Sequence, residues 1–132
     1  MKEPVWIREI EAFAFHAQQI ALFGGMDGVR DRGLLDSALA RPKDLFAYAD
    51  RVLTLAELAA AYAVGISSNH PFVDGNKRTA MQVAFVFLEF NGSPVIASQE
   101  GACLTFLSLA AGGTSEAELA LWFTEHTATH SA

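Results

Sequence analysis

The sequence predicts an all-α fold, a compact bundle of about six helices around a buried central helix. Three observations carry that expectation. Apolar residues make up 52% of the 132 positions and charged ones 18%, which excludes disorder and supplies enough apolar surface for a real core. The apolar positions recur at helical rather than alternating spacing. Capping boxes of the Ser/Thr-x-x-Glu type, with Gly-rich or Asn-Gly stops, punctuate the chain at helical intervals. One domain spanning residues 1–132 is expected, with no repeats and no low-complexity segment.

The first helix is expected from about Pro4 to Phe23, with Trp6, Ile10, Phe13, Ala17 and Ile20 on its core stripe. Arg8, Glu9, Glu11, Gln18 and Gln19 take the wet side. His16 lies at the margin of the stripe and reads as structural or solvent-facing rather than catalytic. Gly24, Gly25 and Gly28 then open a loop to Arg30 that is either a connector or a flank of the active site. Asp31 N-caps a short helix with Leu34, Leu35, Ala38 and Leu39 inward, ended by Arg41-Pro42. Residues 43–53 read as a linker, with room for a helical turn around Leu45, Phe46 and Tyr48.

Thr54 and Glu57 form a capping box for the third helix, Leu55 to Ser68, whose Ala59–Val64 run suggests burial on several sides. It is expected to fail at Asn69-His70, because the residue before Pro71 is pushed toward extended backbone. The fourth helix, about Asn76 to Phe90, is apolar almost all round. Arg78, Gln82 and Glu89 form its narrow polar stripe, with Phe85 among them, so it is expected at the centre. Asn91-Gly92 ends it.

After a short extended piece, Pro94 to Ala97, Ser98 caps a fifth helix through about Ala111 with Cys103, Phe106, Leu107 and Ala110 inward. Gly112-Gly113 breaks it. Ser115 and Glu118 cap a terminal helix whose Leu119, Trp122 and Phe123 pack inward, with His126 and His130 at its fraying end and no role expected for either. One cysteine excludes an internal disulfide, and the apolar neighbours of Cys103 predict a buried structural thiol.

The bulk charge narrows the function. A net charge of −6 and a pI of about 5.0 argue against nucleic acid or an anionic membrane as a broad partner, so any anion site must be local. The apolar stretches Leu58–Ile66 and Val83–Leu88 fall short of the ~20 residues a membrane span needs. The first residues lack the apolar run of a secretory leader, and a cytoplasmic location is expected.

One stretch stands apart, His70-Pro71-Phe72-Val73-Asp74-Gly75-Asn76-Lys77-Arg78-Thr79-Ala80. From residue 52 onward Lys77 and Arg78 are the only Lys or Arg, against seven carboxylates. They sit side by side in the first turn of a helix, where the positive end of the macrodipole disfavours cations. An outside anion is the missing partner. Gly75 lets the backbone approach a phosphate without a Cβ, Asn76 can present its amide or cap the helix, and the free N–H groups of the first turn add to Lys77 and Arg78. Asp74 beside this nest makes sense as a ligand of Mg²⁺, which bridges phosphate oxygens and takes one or two carboxylates. His70 can accept a hydroxyl proton near neutral pH. Base, metal ligand and phosphate cradle point to transfer of a phosphate-containing group to a protein hydroxyl. A zinc site lacks further Cys or His at suitable spacing, and no Gly-x-x-x-x-Gly-Lys-Ser/Thr loop occurs.

That motif, with the 24–42 segment, the Ala-rich helix before His70 and Asn91-Gly92, resembles the Fic/Doc family, and Lys77 resembles its death-on-curing (Doc) branch in particular. The resemblance implies a Fic/Doc-like fold, His70 as general base, Asp74 as the Mg²⁺ ligand, and Gly75, Asn76, Lys77 and Arg78 on the phosphates of ATP. Family members that transfer AMP generally carry glycine at the Lys77 position and a second arginine three residues after Arg78. Met81 stands there instead, so the resemblance implies a kinase exposing the γ-phosphate, with elongation factor Tu as target by analogy. An AMP transferase using the same site and an idle nucleotide- or peptide-binding module are the alternatives. The family's inhibitory Ser/Thr-x-x-x-Glu-Gly/Asn is not matched, since Ile96 precedes Glu100-Gly101 where Ser or Thr is required. A small Phd-type antitoxin acting in trans is therefore implied.

Overall fold

The computed structural model describes residues 2–128, in which six helices follow one another: α1 (Glu9–Phe23), α2 (Arg32–Tyr48), α3 (Leu55–Asn69), α4 (Asn76–Phe90), α5 (Gln99–Ala110) and α6 (Glu116–His126). His130 lies outside the described residues. Among those residues extended pairing is limited to two isolated antiparallel bridges, Val29 with Phe72 and Val95 with Thr127. The all-α expectation holds.

The centre, however, is α3 rather than α4. Leu58, Ala59, Ala60, Ala61, Tyr62, Ala63 and Ile66 are wholly buried, and α2, α4 and α6 all pack against this helix. Small side chains explain why it wins the position. A Cβ on Gly65 would stand 3.2 Å from the Ala38 Cβ and 3.3 Å from its Cα, so the α2 backbone comes in close. The bulkier α4 packs on α3, with Val83, Ala84, Phe87 and Leu88 buried. Its Phe85, which falls among polar residues on the helical wheel, is covered by Phe106, Trp122 and Phe123 from α5 and α6.

Four local expectations need correction. Residues 4–8 are not helical. Pro4 and Ile7 are buried there, and the segment is pinned by the Ile7 N–H on the Tyr62 hydroxyl at 3.0 Å and by Asn91, which accepts from Val5 N at 2.8 Å and donates to Val5 O at 3.0 Å. Second, the inward face of α1 is Ala12, His16 and Gln19, while Ile10 is 67% exposed. Third, α2 continues through a buried Pro42 to Tyr48, so 43–48 is helix and not linker. A mid-helix proline costs about 3 kcal/mol. Burial of Pro42, packing of Phe46 on Trp6, and Arg41 anchored on the Ala61 carbonyl and Glu116 hold the helix through it. Fourth, α5 turns Ala102 and Phe106 inward and leaves Cys103 and Leu107 exposed, so Cys103 is not a buried thiol.

The caps formed where the sequence placed them. Asp31, Thr54, Ser98 and Ser115 each accept the backbone N–H three residues on. Glu57 both completes the box with Thr54 and pairs with Arg51, and these contacts, Arg51 first, draw its carboxyl from an ordinary 4.5 down to about 2. A carboxyl lowered on folding stabilises fully above its unfolded value and loses that contribution as pH falls. Denaturation midpoints should therefore decline as pH drops from about 4.5 to about 2. Glu57→Gln should flatten that part of a urea-denaturation series and lower stability at neutral pH.

Candidate active site

The motif loop begins where α3 stops. His70 is the C-cap and sits in left-handed backbone, φ 48° and ψ 55°, rather than the extended geometry expected before a proline. The helix does end where predicted. What differs is how: a left-handed cap turns the chain sharply, and Arg30 reaches across to hold it, donating to His70 O at 2.7 Å and Asn69 O at 2.8 Å. Guanidinium at the carbonyl end of α3 also answers the negative pole of that helix. The His70 side chain is left at the surface.

The next residues are laced to the 24–31 loop. Pro71 O accepts from Arg30 N at 2.7 Å and from Asp31 N at 3.0 Å, and Val73 N donates to Gly28 O at 3.0 Å. Of the two readings of the glycine loop, the structure supports the flank of the site. Gly25 shows why a side chain is excluded there, since a Cβ would lie 2.7 Å from Asp74 Oδ2. Phe72 is buried, with its ring stacked on His16 at 3.9 Å between centroids and 5° between planes.

Asn76 closes the loop on itself. Its Oδ1 accepts from Phe72 N at 3.0 Å and its Nδ2 donates to Phe72 O at 2.9 Å. The amide is thereby engaged within the loop, and what Asn76 can turn toward an anion is its backbone N–H. Gly75 precedes it at φ 75°, a left-handed conformation that puts the first N–H groups of α4 at the cavity, with no side-chain cap taking them.

One cavity of about 330 Å³ is lined by His70, Val73, Asp74, Gly75, Asn76, Lys77 and Arg78. All six residues singled out from the sequence meet in it. Asp74 is exposed, its Oδ1 accepting from Gly75 N at 2.9 Å and its Oδ2 from Met26 N at 3.2 Å. Those two N–H groups, with Arg78 and His16 adding smaller contributions, hold its carboxyl below the usual carboxylate range. The Arg78 guanidinium rests over the Phe23 ring at 5.1 Å and on Gly24 O at 3.4 Å, and its buried Nε has no hydrogen-bond partner among the described residues. A second hollow of about 190 Å³ shares Lys77 and Arg78 and continues along Met81, Cys103 and Phe106.

A larger cavity of about 620 Å³ lies elsewhere, along the C-terminal half of α2. Its two guanidiniums are already engaged, Arg41 by Glu116 and Arg51 by Glu57. The smaller cavity is the better candidate, because its cations form no salt bridge with a carboxylate among the described residues.

Comparison with known proteins bears on the same residues. The profile of the Fic/DOC family matches residues 6–88. The chain belongs to the Fic/DOC family. "Protein kinase doc" of Escherichia phage P1 is 38% identical over 95 residues, covering 72% of this chain and 75% of the relative. "Toxin Doc" of Mycolicibacterium smegmatis is 49% identical over 70 residues, covering 53% of this chain and 54% of the relative. Both matches place the chain in the Doc branch of Fic/DOC proteins.

Sequence reasoning missed two contributors to this Fic/DOC site, His16 and Arg30. For His16 a signal existed: Ala12, His16 and Gln19 share one helical face, a register offset from the apolar stripe that drew attention. Arg30 carried none, because its partners are carbonyls that only the left-handed turn at His70 exposes.

Two stability changes test the loop. Left-handed backbone costs a non-glycine residue about 1–2 kcal/mol, so His70→Gly should be as stable as the parent or up to about 1 kcal/mol more so. A clear loss in chemical denaturation would remove the strain. Asn76→Ala leaves the Phe72 peptide groups without their partners and should cost about 1–3 kcal/mol in the same measurement.

Proposed function

We propose that this Doc-branch chain is the toxin of a toxin–antitoxin pair and transfers the γ-phosphate of ATP to a protein hydroxyl. By family analogy the target is elongation factor Tu, and a small Phd-type antitoxin binds in trans. The observation that carries the reading is the single cavity gathering His70, Asp74, Gly75, Lys77 and Arg78 at the N-terminus of α4. The phage relative named as a protein kinase supports the choice of phosphate. So does Met81, an uncharged thioether one turn after Lys77-Arg78, where AMP transfer would want a further cation.

Each group has a task its surroundings suit. The N–H groups opening α4, with Lys77 and Arg78, bind the phosphates, and the guanidinium braced by Phe23 and Gly24 O reaches them already oriented. Asp74 fits Mg²⁺. It stays ionised, is exposed, and among the described residues accepts one N–H on each of its oxygens, which leaves lone pairs for a cation. When bound, the ion would neutralise phosphate oxygens during the transfer.

His70 takes the proton of the target hydroxyl as that oxygen bonds to the γ-phosphorus. The bond from the γ-phosphorus to the β–γ bridging oxygen breaks, and ADP leaves with the electron pair. Holding the imidazole on a turn fixed by Arg30 limits its wandering, which matters because positioning supplies much of the rate in phosphoryl transfer.

Incubating the protein and purified elongation factor Tu with Mg²⁺ and either α- or γ-labelled ATP tests the proposal. Label from the γ position, abolished by His70→Ala, is the expected result. Label from the α position would make the chain an AMP transferase, and none from either would leave a binding module. Lys77→Ala and Arg78→Ala should each weaken ATP binding by about 1–3 kcal/mol in calorimetry, with unchanged circular dichroism.

A further inference from the structure

His16 is a buried histidine that the proposed chemistry does not use. It is 3% exposed and comes from the middle of α1. Its Nε2 stands 2.8 Å from the carbonyl oxygen of Asp74. A carbonyl can only accept, so Nε2 carries the hydrogen and donates it. The ring is stacked on Phe72, and Nδ1 stands 3.8 Å from the Asp27 carboxylate in the glycine loop.

That one contact fixes more than one atom. The Asp74–Gly75 peptide is planar and trans, so its C=O and N–H point in opposite directions. With the carbonyl drawn down onto His16, the Gly75 N–H must face up, where it donates to Asp74 Oδ1 at 2.9 Å. A glycine at φ 75° is otherwise free to let this peptide turn over, because it lacks the Cβ that would resist. A turned-over peptide would release the Asp74 carboxylate and point a carbonyl oxygen at it and at an anion beside it.

We infer that His16 is a positioning residue for the phosphate cradle, locking the Asp74–Gly75 peptide with its N–H on the Asp74 carboxylate and its carbonyl turned away from the anion. Ile20 from the same helix supplies the floor beside it, 3.2 Å from where a Gly75 Cβ would be. An apolar residue at position 16 could fill the space. It could not hold the carbonyl, and burying that oxygen without a donor is unfavourable. This inference rests on the reading of the cavity as a phosphate site, and its test separates the two.

Mg²⁺-ATP and inorganic triphosphate are titrated calorimetrically into the full chain, His16→Phe and His16→Gln, alongside thermal unfolding of each. Phe keeps an aromatic ring against Phe72 without the donor; Gln returns an N–H near the Nε2 position. His16→Phe should bind both ligands roughly tenfold more weakly, the scale of one hydrogen bond, and His16→Gln should recover most of that. Wild type that binds neither ligand overturns the phosphate site itself. Wild type that binds, with His16→Phe equal to it or His16→Gln as weak as His16→Phe, overturns only the role of His16. Should His16→Phe not fold, the wild-type chain decides by ¹⁵N NMR. The His16 Nε2–H signal should shift on saturation with triphosphate, and an unmoved signal overturns the inference.

Discussion

Neither loop at the active end of the bundle has a helix or ladder of its own to satisfy its peptide groups, so each satisfies the other. Residues 24–31 and 70–75 exchange backbone hydrogen bonds through Gly28, Arg30, Asp31, Pro71 and Val73, and side chains from Arg30, His16 and Asn76 take up carbonyls and N–H groups that remain. Inward-facing peptide groups left without partners would be costly, which ties the conformation of one loop to that of the other. The helices supply rigid ends. The lacing between the loops decides where the candidate site groups point.

This dependence explains the distribution of cations. Arg30 is spent on the end of α3, and Arg32, Arg41 and Arg51 are paired with Glu9, Glu116 and Glu57. Among the described residues Lys77 and Arg78 have no carboxylate partner of that kind, and they line a cavity that also contains Asp74 and His70. In a chain of net charge −6 such an arrangement places two adjacent positive charges beside one cavity.

The sequence made the site more legible than the packing. His70 to Arg78 is contiguous, so its members had to be neighbours, and the boundaries of α4 followed from Gly75 and Asn91 alone. The caps were legible for the same reason, since Thr54 with Glu57 and Ser115 with Glu118 act over three residues. Faces were harder. On α1 the inward choice of His16 and Gln19 over Ile10 is made by the loop and by Gln82 across the gap, both distant in sequence. Pro42 misled because its local cost is offset by burial that only the fold supplies. Cys103 misled because apolar neighbours along a helix do not say which side is covered.

The Fic/DOC match ends at residue 88, yet the packing does not. Leu119 and Phe123 of α6 are fully buried, Glu116 completes the Arg41 bridge between α2 and α3, and Val95 pairs with Thr127 beyond them. A chain cut after the matched stretch would uncover the most apolar helix of the molecule and leave Arg41 without its carboxylate. The matched stretch and the packed core are therefore different lengths, and the second includes a helix that contributes nothing to the candidate cavity.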